Sequence, residues 1–219
     1  MHTRVVVQWM MVPWIILLFA FGINYLISAS VADSEPFNSG GLASLFVWML
    51  AISATALTQT FPFALGLSVR RTDFFLGTAA MIGLVSVFSA VLLFLLSLAE
   101  SEWAGGWGTH FTFFTFPFMT DLSMISRFGI FFIAILHCCF LGIFLASLYC
   151  RFGRNGLFVF FGCVFLALSA LSVAATTFGW WLGIFNWLGE HLADLALWAA
   201  LLTAVYILAS YGLLRRSTV

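Results

Sequence analysis

There is no lysine anywhere in this chain, and charge of either sign is scarce, with eight arginines and eight acidic residues making up 7% of 219 positions. The missing lysine excludes a Walker-type phosphate loop, whose lysine ammonium must meet the nucleotide phosphates. Any ATP hydrolysis coupled to this protein therefore belongs to another polypeptide, and the chain needs no cofactor of its own. A formal net charge of zero removes the bulk electrostatic footprint of a nucleic-acid binder, so no nucleic acid partner is expected. The four cysteines, Cys138, Cys139, Cys150 and Cys163, lie within or at the edge of apolar blocks, which argues against a disulfide framework. Neither an H-E-x-x-H zinc motif nor a G-x-S-x-G nucleophile elbow is present, so no catalytic residue and no metal site are expected.

What the chain does have is apolar length. Hydrophobic residues make up 63% of the sequence and its mean hydropathy is +1.14, more than a soluble domain of this size can hide. They run in blocks of about 20 residues or more, the length needed to cross a bilayer. The blocks fall near 5–31, 42–69, 75–99, 128–150, 157–176 and 192–214. The first follows Arg4 as a signal peptide would, but it is longer than a signal's roughly 7–15 apolar residues and reads as a retained span. The expected fold is an all-α, polytopic, single transmembrane domain over 1–219 with six transmembrane helices. The stretch 178–190 is too short to cross and too apolar for a free loop, so it is expected to be re-entrant or interfacial.

The arginines give the spans a direction. Arg4, Arg70, Arg71, Arg151, Arg154, Arg215 and Arg216 occupy the N-terminus, the second and fourth breaks and the C-terminus, with Arg127 the exception. All acids but Asp73 lie in or beside the other three breaks. The positive-inside rule makes the arginine side cytoplasmic, with both termini inside and the protein in the cell's inner (plasma) membrane. Arg127 reads as a snorkelling side chain at the outer mouth of the fourth span, or as one half of an outer gate with Asp121.

Polar residues inside the spans are the candidates for function. His137, Cys138 and Cys139 carry metal-ligating atoms, but adjacent positions point about 100° apart on a helix and cannot converge on one ion. His137 is expected to hydrogen-bond across a helix interface. Thr55, Thr58, Gln59 and Pro62 share one face of the second span, and Gly162, Ser169, Ser172 and Thr176 one stripe of the fifth. Each serves either helix packing or a solute path. Ala79, Gly83, Ser86 and Ala90 in the third span read as packing. The outer segments hold Trp103, Trp107, Phe111, Phe113, Phe114, Phe116 and Phe118, then Trp180, Trp181, Phe185 and Trp187. Most are expected to be interfacial anchors.

The stretch from Thr58 through Gln59, Pro62 and Arg70-Arg71-Thr72-Asp73-Phe74 to Thr78 resembles the junction between the second and third spans of bacterial ATP-binding-cassette (ABC) transporter permeases of the type-2, exporter class. The turn Arg151-Phe152-Gly153-Arg154-Asn155-Gly156, the six-span plan and the partly buried segment before the last span are similar to that class too. The resemblance implies a half-transporter: two permease protomers, as a homodimer or a heterodimer, form the path in the lipid bilayer, and soluble ATPase subunits carrying ATP and Mg dock beneath. Arg70, Arg71, Thr72, Asp73 and Phe74 would then form the ATPase-coupling turn. The second and fifth spans would line the path through Thr55, Thr58, Gln59, Ser169, Ser172 and Thr176. Only Met1–Arg4 precede the first span and no large outer domain is evident, which favours a plain member exporting a small hydrophobic, peptide or drug-like solute over the lipid-flipping and polysaccharide branches. Two other readings stand beside it. One is a non-transporting membrane assembly or sensor subunit whose stripes only pack; the other is an intramembrane enzyme using His137 or the pair His191 and Asp194.

Overall fold

The computed structural model describes residues 7–30, 37–103, 107, 111–120 and 122–216. A π-helical turn, Val7–Met11, leads into helix α1, Val12–Ser30. Helices α2, Ala43–Gly66, and α3, Arg71–Leu98, follow, with α3 running on into a second π turn, Ala99–Trp103. After the segment that joins α3 to the next helix come α4, Met124–Thr177, the short α5, Trp181–Glu190, and α6, Leu192–Arg215. Five of these helices are long and apolar enough to cross a membrane. The chain is an all-α, multi-pass membrane protein.

The 54-residue α4 accounts for both the fourth and fifth expected spans. Gly153 interrupts it at φ 66°, ψ −165°, a region open essentially to glycine alone. The chain folds back there: Phe144 and Phe160, which a straight helix would hold two dozen ångströms apart at about 1.5 Å per residue, bring their ring centroids to 5.6 Å. Arm 124–152 therefore lies beside arm 154–177. The polar break expected over 151–156 contracts to this one residue, because the neighbouring arginines and Asn155 are compatible with helix ends and only the glycine has to leave helical geometry. Gly153→Ala should cost about 2 kcal/mol through forced strain and lower the thermal midpoint of the detergent-solubilised protein. Gly162→Ala, with nothing within 4 Å of the added carbon, should leave it unchanged or raised.

The first arm of α4 is the centre of the bundle. Phe131, Ile135, Cys139, Ile143 and Ala146 recur at three- and four-residue steps on it and are all buried. That stripe meets Leu45, Met49, Ile52 and Phe61 of α2 and Ile82, Ala90 and Leu93 of α3 in one continuous core. Helix association in lipid is driven by close packing rather than by exclusion of water, and α2 and α4 leave no room for a side chain at Gly142. A Cβ there would collide with the carbonyl oxygen of Leu50 and stand 3.1 Å from the Ser53 Cβ and 3.2 Å from the Ala54 nitrogen. Outside the core the surface is apolar, with Phe19 and Phe165 each 70% exposed, as a lipid-facing belt requires.

The breaks between spans gather at two ends. Residues 37–38 of the first break pair in parallel with 111–112 of the third, Phe37 opposite Phe111 and Asn38 opposite Thr112, and the Ser39 N–H donates to the Thr112 carbonyl at 3.0 Å. At the other end Arg71 of the second break donates from Nη1 to the carbonyl of Arg215 near the C-terminus, at 2.9 Å. The described parts of the first and third breaks thus lie together, and the second break lies with the end of α6.

Candidate functional site

The polar face of α2 sits where the sequence places it. Thr55 and Gln59 are exposed and Thr58 half-buried. The Thr55 hydroxyl donates to the Ala51 carbonyl at 2.9 Å and that of Thr58 to the Thr55 carbonyl at 2.9 Å, so both hydroxyls are satisfied within their own helix. The Gln59 amide has no such local outlet. Three residues on, Pro62 lacks an N–H and cannot make the helical bond to the Thr58 carbonyl. Thr55 and Thr58 line a groove of about 440 Å³ whose other walls are Leu145, Ala146 and Tyr149 of the first α4 arm and Leu157 and Phe161 of the second.

The stripe on the second arm is not part of that groove. Ser169 is half-buried, Ser172 and Thr176 are exposed, and none of the three lines it. Thr176 instead holds α5 in place: its hydroxyl donates to the Ser172 carbonyl at 2.9 Å and accepts from the indole Nε1 of Trp181 at 3.0 Å. Gly179, at φ 66°, ends the arm with the Trp180 N–H reaching back to the Ala175 carbonyl at 2.9 Å, the cap that glycine favours. Helix α5 that follows is exposed along its length, Trp181, Phe185 and Trp187 included, in keeping with an interfacial segment.

The turn between α2 and α3 is held from behind and open in front. Ser68 takes the left-handed conformation at φ 59°, and the Val69 N–H closes back on the Ala64 carbonyl at 3.1 Å. Phe74 packs on Phe61 with centroids 5.4 Å apart, and Phe75, buried, on Tyr211 at 5.5 Å. Arg71 is tied to Arg215 as described above. Arg70, Thr72 and Asp73 are exposed, and Asp73 lies in the first turn of α3, where a negative charge complements the helix dipole. The outward-facing part of the turn is therefore Arg70, Thr72 and Asp73, while Phe74 is spent on internal packing.

His137 makes the cross-helix contact its position suggests. Its Nδ1 lies 2.9 Å from the Thr203 hydroxyl and 3.2 Å from the Ala199 carbonyl, both on α6. Because the Thr203 hydroxyl itself donates to that carbonyl at 2.7 Å, the arrangement that satisfies all three groups has Nδ1–H as the donor. Cys139 is buried on the opposite side, its thiol 4.0 Å from the Met49 carbonyl. Among the described residues no three His, Cys, Asp or Glu side chains gather to hold a metal ion. His191 stacks on Trp187, centroids 5.0 Å apart, and shares a shallow groove with Asp194.

Two features escape a reading of spacing alone. Glu100 is 2% exposed, and its carboxylate gathers four N–H groups of the outer segment. Oε2 accepts from the Trp107 indole at 2.9 Å, the Phe113 amide at 2.9 Å and the Phe114 amide at 3.1 Å, and Oε1 from the Thr115 amide at 2.9 Å. Phe111, Phe113 and Phe114 are consequently buried and pack around Phe21 of α1, at centroid distances of 5.4 to 5.9 Å. These three rings are core residues, not the interfacial anchors expected. Arg127 donates from Nη2 to the Thr120 carbonyl at 2.7 Å, pinning the same segment, and the Asp121 of the gate reading lies outside the described residues.

Comparison of the chain with protein-family models, with curated proteins and with solved structures gave no match.

Proposed function

We propose that this chain is the membrane-spanning subunit of a transporter, the permease of a type-2 ABC exporter, acting as a homodimer with a separate soluble ATPase that carries ATP and Mg. The solute is small and hydrophobic, peptide-like or drug-like, and moves outward. In this reading the arginine-bearing end faces the cytoplasm of the cell's inner membrane, as the positive-inside rule directs, and hydrolysis is no part of this chain's own chemistry. The observation that carries the proposal is Gln59. Its amide is exposed on α2, seven residues or about 10 Å from the helix end at Gly66, too deep for a short side chain to reach the headgroups. A polar group facing hydrocarbon at that depth costs several kcal/mol. The cost disappears when the face of Gln59 and Thr55 meets a second protomer across a hydrated path.

The turn supports the same reading. Arg70, Thr72 and Asp73 project from a corner fixed by Phe74, Phe75 and Arg71. A push on the corner is thereby passed to α2, α3 and α6 together, which is what a coupling element must do. Asp73→Lys tests it: the extra cation preserves the positive-inside bias, so the variant should insert normally, at a cost under about 1 kcal/mol from the helix dipole. It should lose ATPase copurification and ATP-dependent export, because a charge-complementary contact is reversed. Retention of both would remove the coupling role, and an unaltered chain that brings down no ATPase would remove the exporter. The self-satisfied hydroxyls of Thr55, Thr58 and Thr176 favour a second reading, a non-transporting assembly or sensor subunit, which predicts that second outcome.

A further inference from the structure

The arginine-bearing end holds a concavity separate from the groove lined by Thr55 and Thr58. A pocket of about 560 Å³ opens between the first arm of α4 and the last turns of α6, with Arg151, Arg215 and Arg216 at its rim and Phe144, Leu148 and Leu213 among its walls. No acidic side chain lines it. Arg215 and Arg216 are exposed and Arg151 half-buried, and the Arg71 bond to the Arg215 carbonyl fixes the end of α6 from the far side. Topology requires only that arginines be on this side of the membrane; it does not require three from two different helices to converge on one hollow. Arg151 stacks its guanidinium 5.0 Å over the Phe152 ring, which leaves its charge in place; guanidinium groups around a concave surface concentrate positive potential, and the planar fork of arginine matches phosphate oxygens two at a time.

The apolar wall says what kind of phosphate. Leu148 and Phe144 precede Arg151 by about one and two helical turns, so the greasy part of the hollow lies on the membrane side of the charged rim. We infer that this pocket binds an anionic phospholipid, its phosphodiester headgroup among Arg151, Arg215 and Arg216 and the start of an acyl chain against Leu148 and Phe144. Basic pockets between spans are a recognised physical solution for lipid headgroups, with each arginine contributing about a fivefold preference. A free phosphate shares the headgroup chemistry but leaves the apolar wall unfilled.

The test uses the full chain, purified and reconstituted in nanodiscs of phosphatidylcholine with one part in five phosphatidylglycerol, and counts retained lipids by native mass spectrometry. The unaltered protein should retain phosphatidylglycerol over phosphatidylcholine at a ratio at least tenfold that of the surrounding bilayer. R151Q/R215Q should lose that preference. R70Q/R154Q, which removes the same charge from the same end but outside the pocket, should keep it. R151K/R215K, which keeps the charge and the insertion signal but not the fork, should fall between them by about two- to threefold. Equal retention by R151Q/R215Q, or equal loss in R70Q/R154Q, overturns the site. Displacement of the lipid by millimolar glycerol phosphate assigns the pocket to a soluble phosphate and overturns the lipid reading. None of these outcomes depends on an ATPase, so the site and the exporter proposal fail separately.

Discussion

Glu100→Gln is expected to destabilise the folded protein by about 3 kcal/mol, seen as a lower thermal midpoint in detergent and as new protease sensitivity in the outer segment. The carboxylate accepts four N–H groups, from Trp107, Phe113, Phe114 and Thr115. That number matches its acceptor capacity. An amide of nearly the same shape keeps one acceptor oxygen and turns an NH₂ toward donors, so at least one and as many as three backbone or indole N–H groups are left buried and unpaired. Each costs about 1–3 kcal/mol. The rings of Phe113 and Phe114, whose amides Glu100 holds, pack on Phe21, so the variant is expected to lose polar and apolar contacts together. Glu102→Gln, at an exposed position two residues away, should change nothing measurable. An E100Q protein that melts with the unaltered one would show that the outer segment is held by its aromatic packing alone.

The all-α, multi-pass character was legible in the sequence because hydropathy separates lipid from water, and that partition is what a run of about 20 apolar residues records. The same signal is silent about which protein surface an apolar residue meets. Hence Trp181, Phe185 and Trp187 sit exposed as interfacial residues should, while Phe111, Phe113 and Phe114, no less aromatic and no less close to the membrane surface, are core. What distinguishes the second set is Glu100, and nothing in the spacing from 100 to 115 announces that one carboxylate will gather four distant N–H groups. The hairpin at Gly153 was legible as a break but not as a single-residue one, since the local polarity of 151–156 extends further than the backbone reversal does. The polar residues of α2 and of the second α4 arm follow helical stripes that suit either packing or a solute path, and Thr176 bonds Trp181 of α5, because a stripe at helical spacing fixes a direction around an axis and not the neighbour found there.

Gly142→Val is expected to prevent the bundle from forming, with loss of monodisperse protein after extraction, and Gly142→Ala to lower stability by about 2–3 kcal/mol, the range for overpacking a well-filled core. The added carbon meets the Leu50 carbonyl oxygen, the Ser53 Cβ and the Ala54 nitrogen. These are backbone atoms, or a carbon fixed directly to backbone, so no rotamer change relieves the contact; α2 and α4 must move apart over their whole length. Separation also withdraws Cys139 from Met49 and loosens Phe131, Ile135 and Ile143 from the α2 stripe. The contrast is with Gly83, which the spacing of small residues in the third span marks as the packing glycine. Nothing lies within 4 Å of a Cβ at Gly83, so Gly83→Ala should be neutral or stabilising by up to about 1 kcal/mol through helix propensity. In the third span the burial belongs to its neighbours Ser86 and Ala90, both at 0% exposure. Equal tolerance of alanine at 142 and 83 would mean that α2 and α4 do not approach as closely as Gly142 permits, and the centre of the bundle would have to be redrawn.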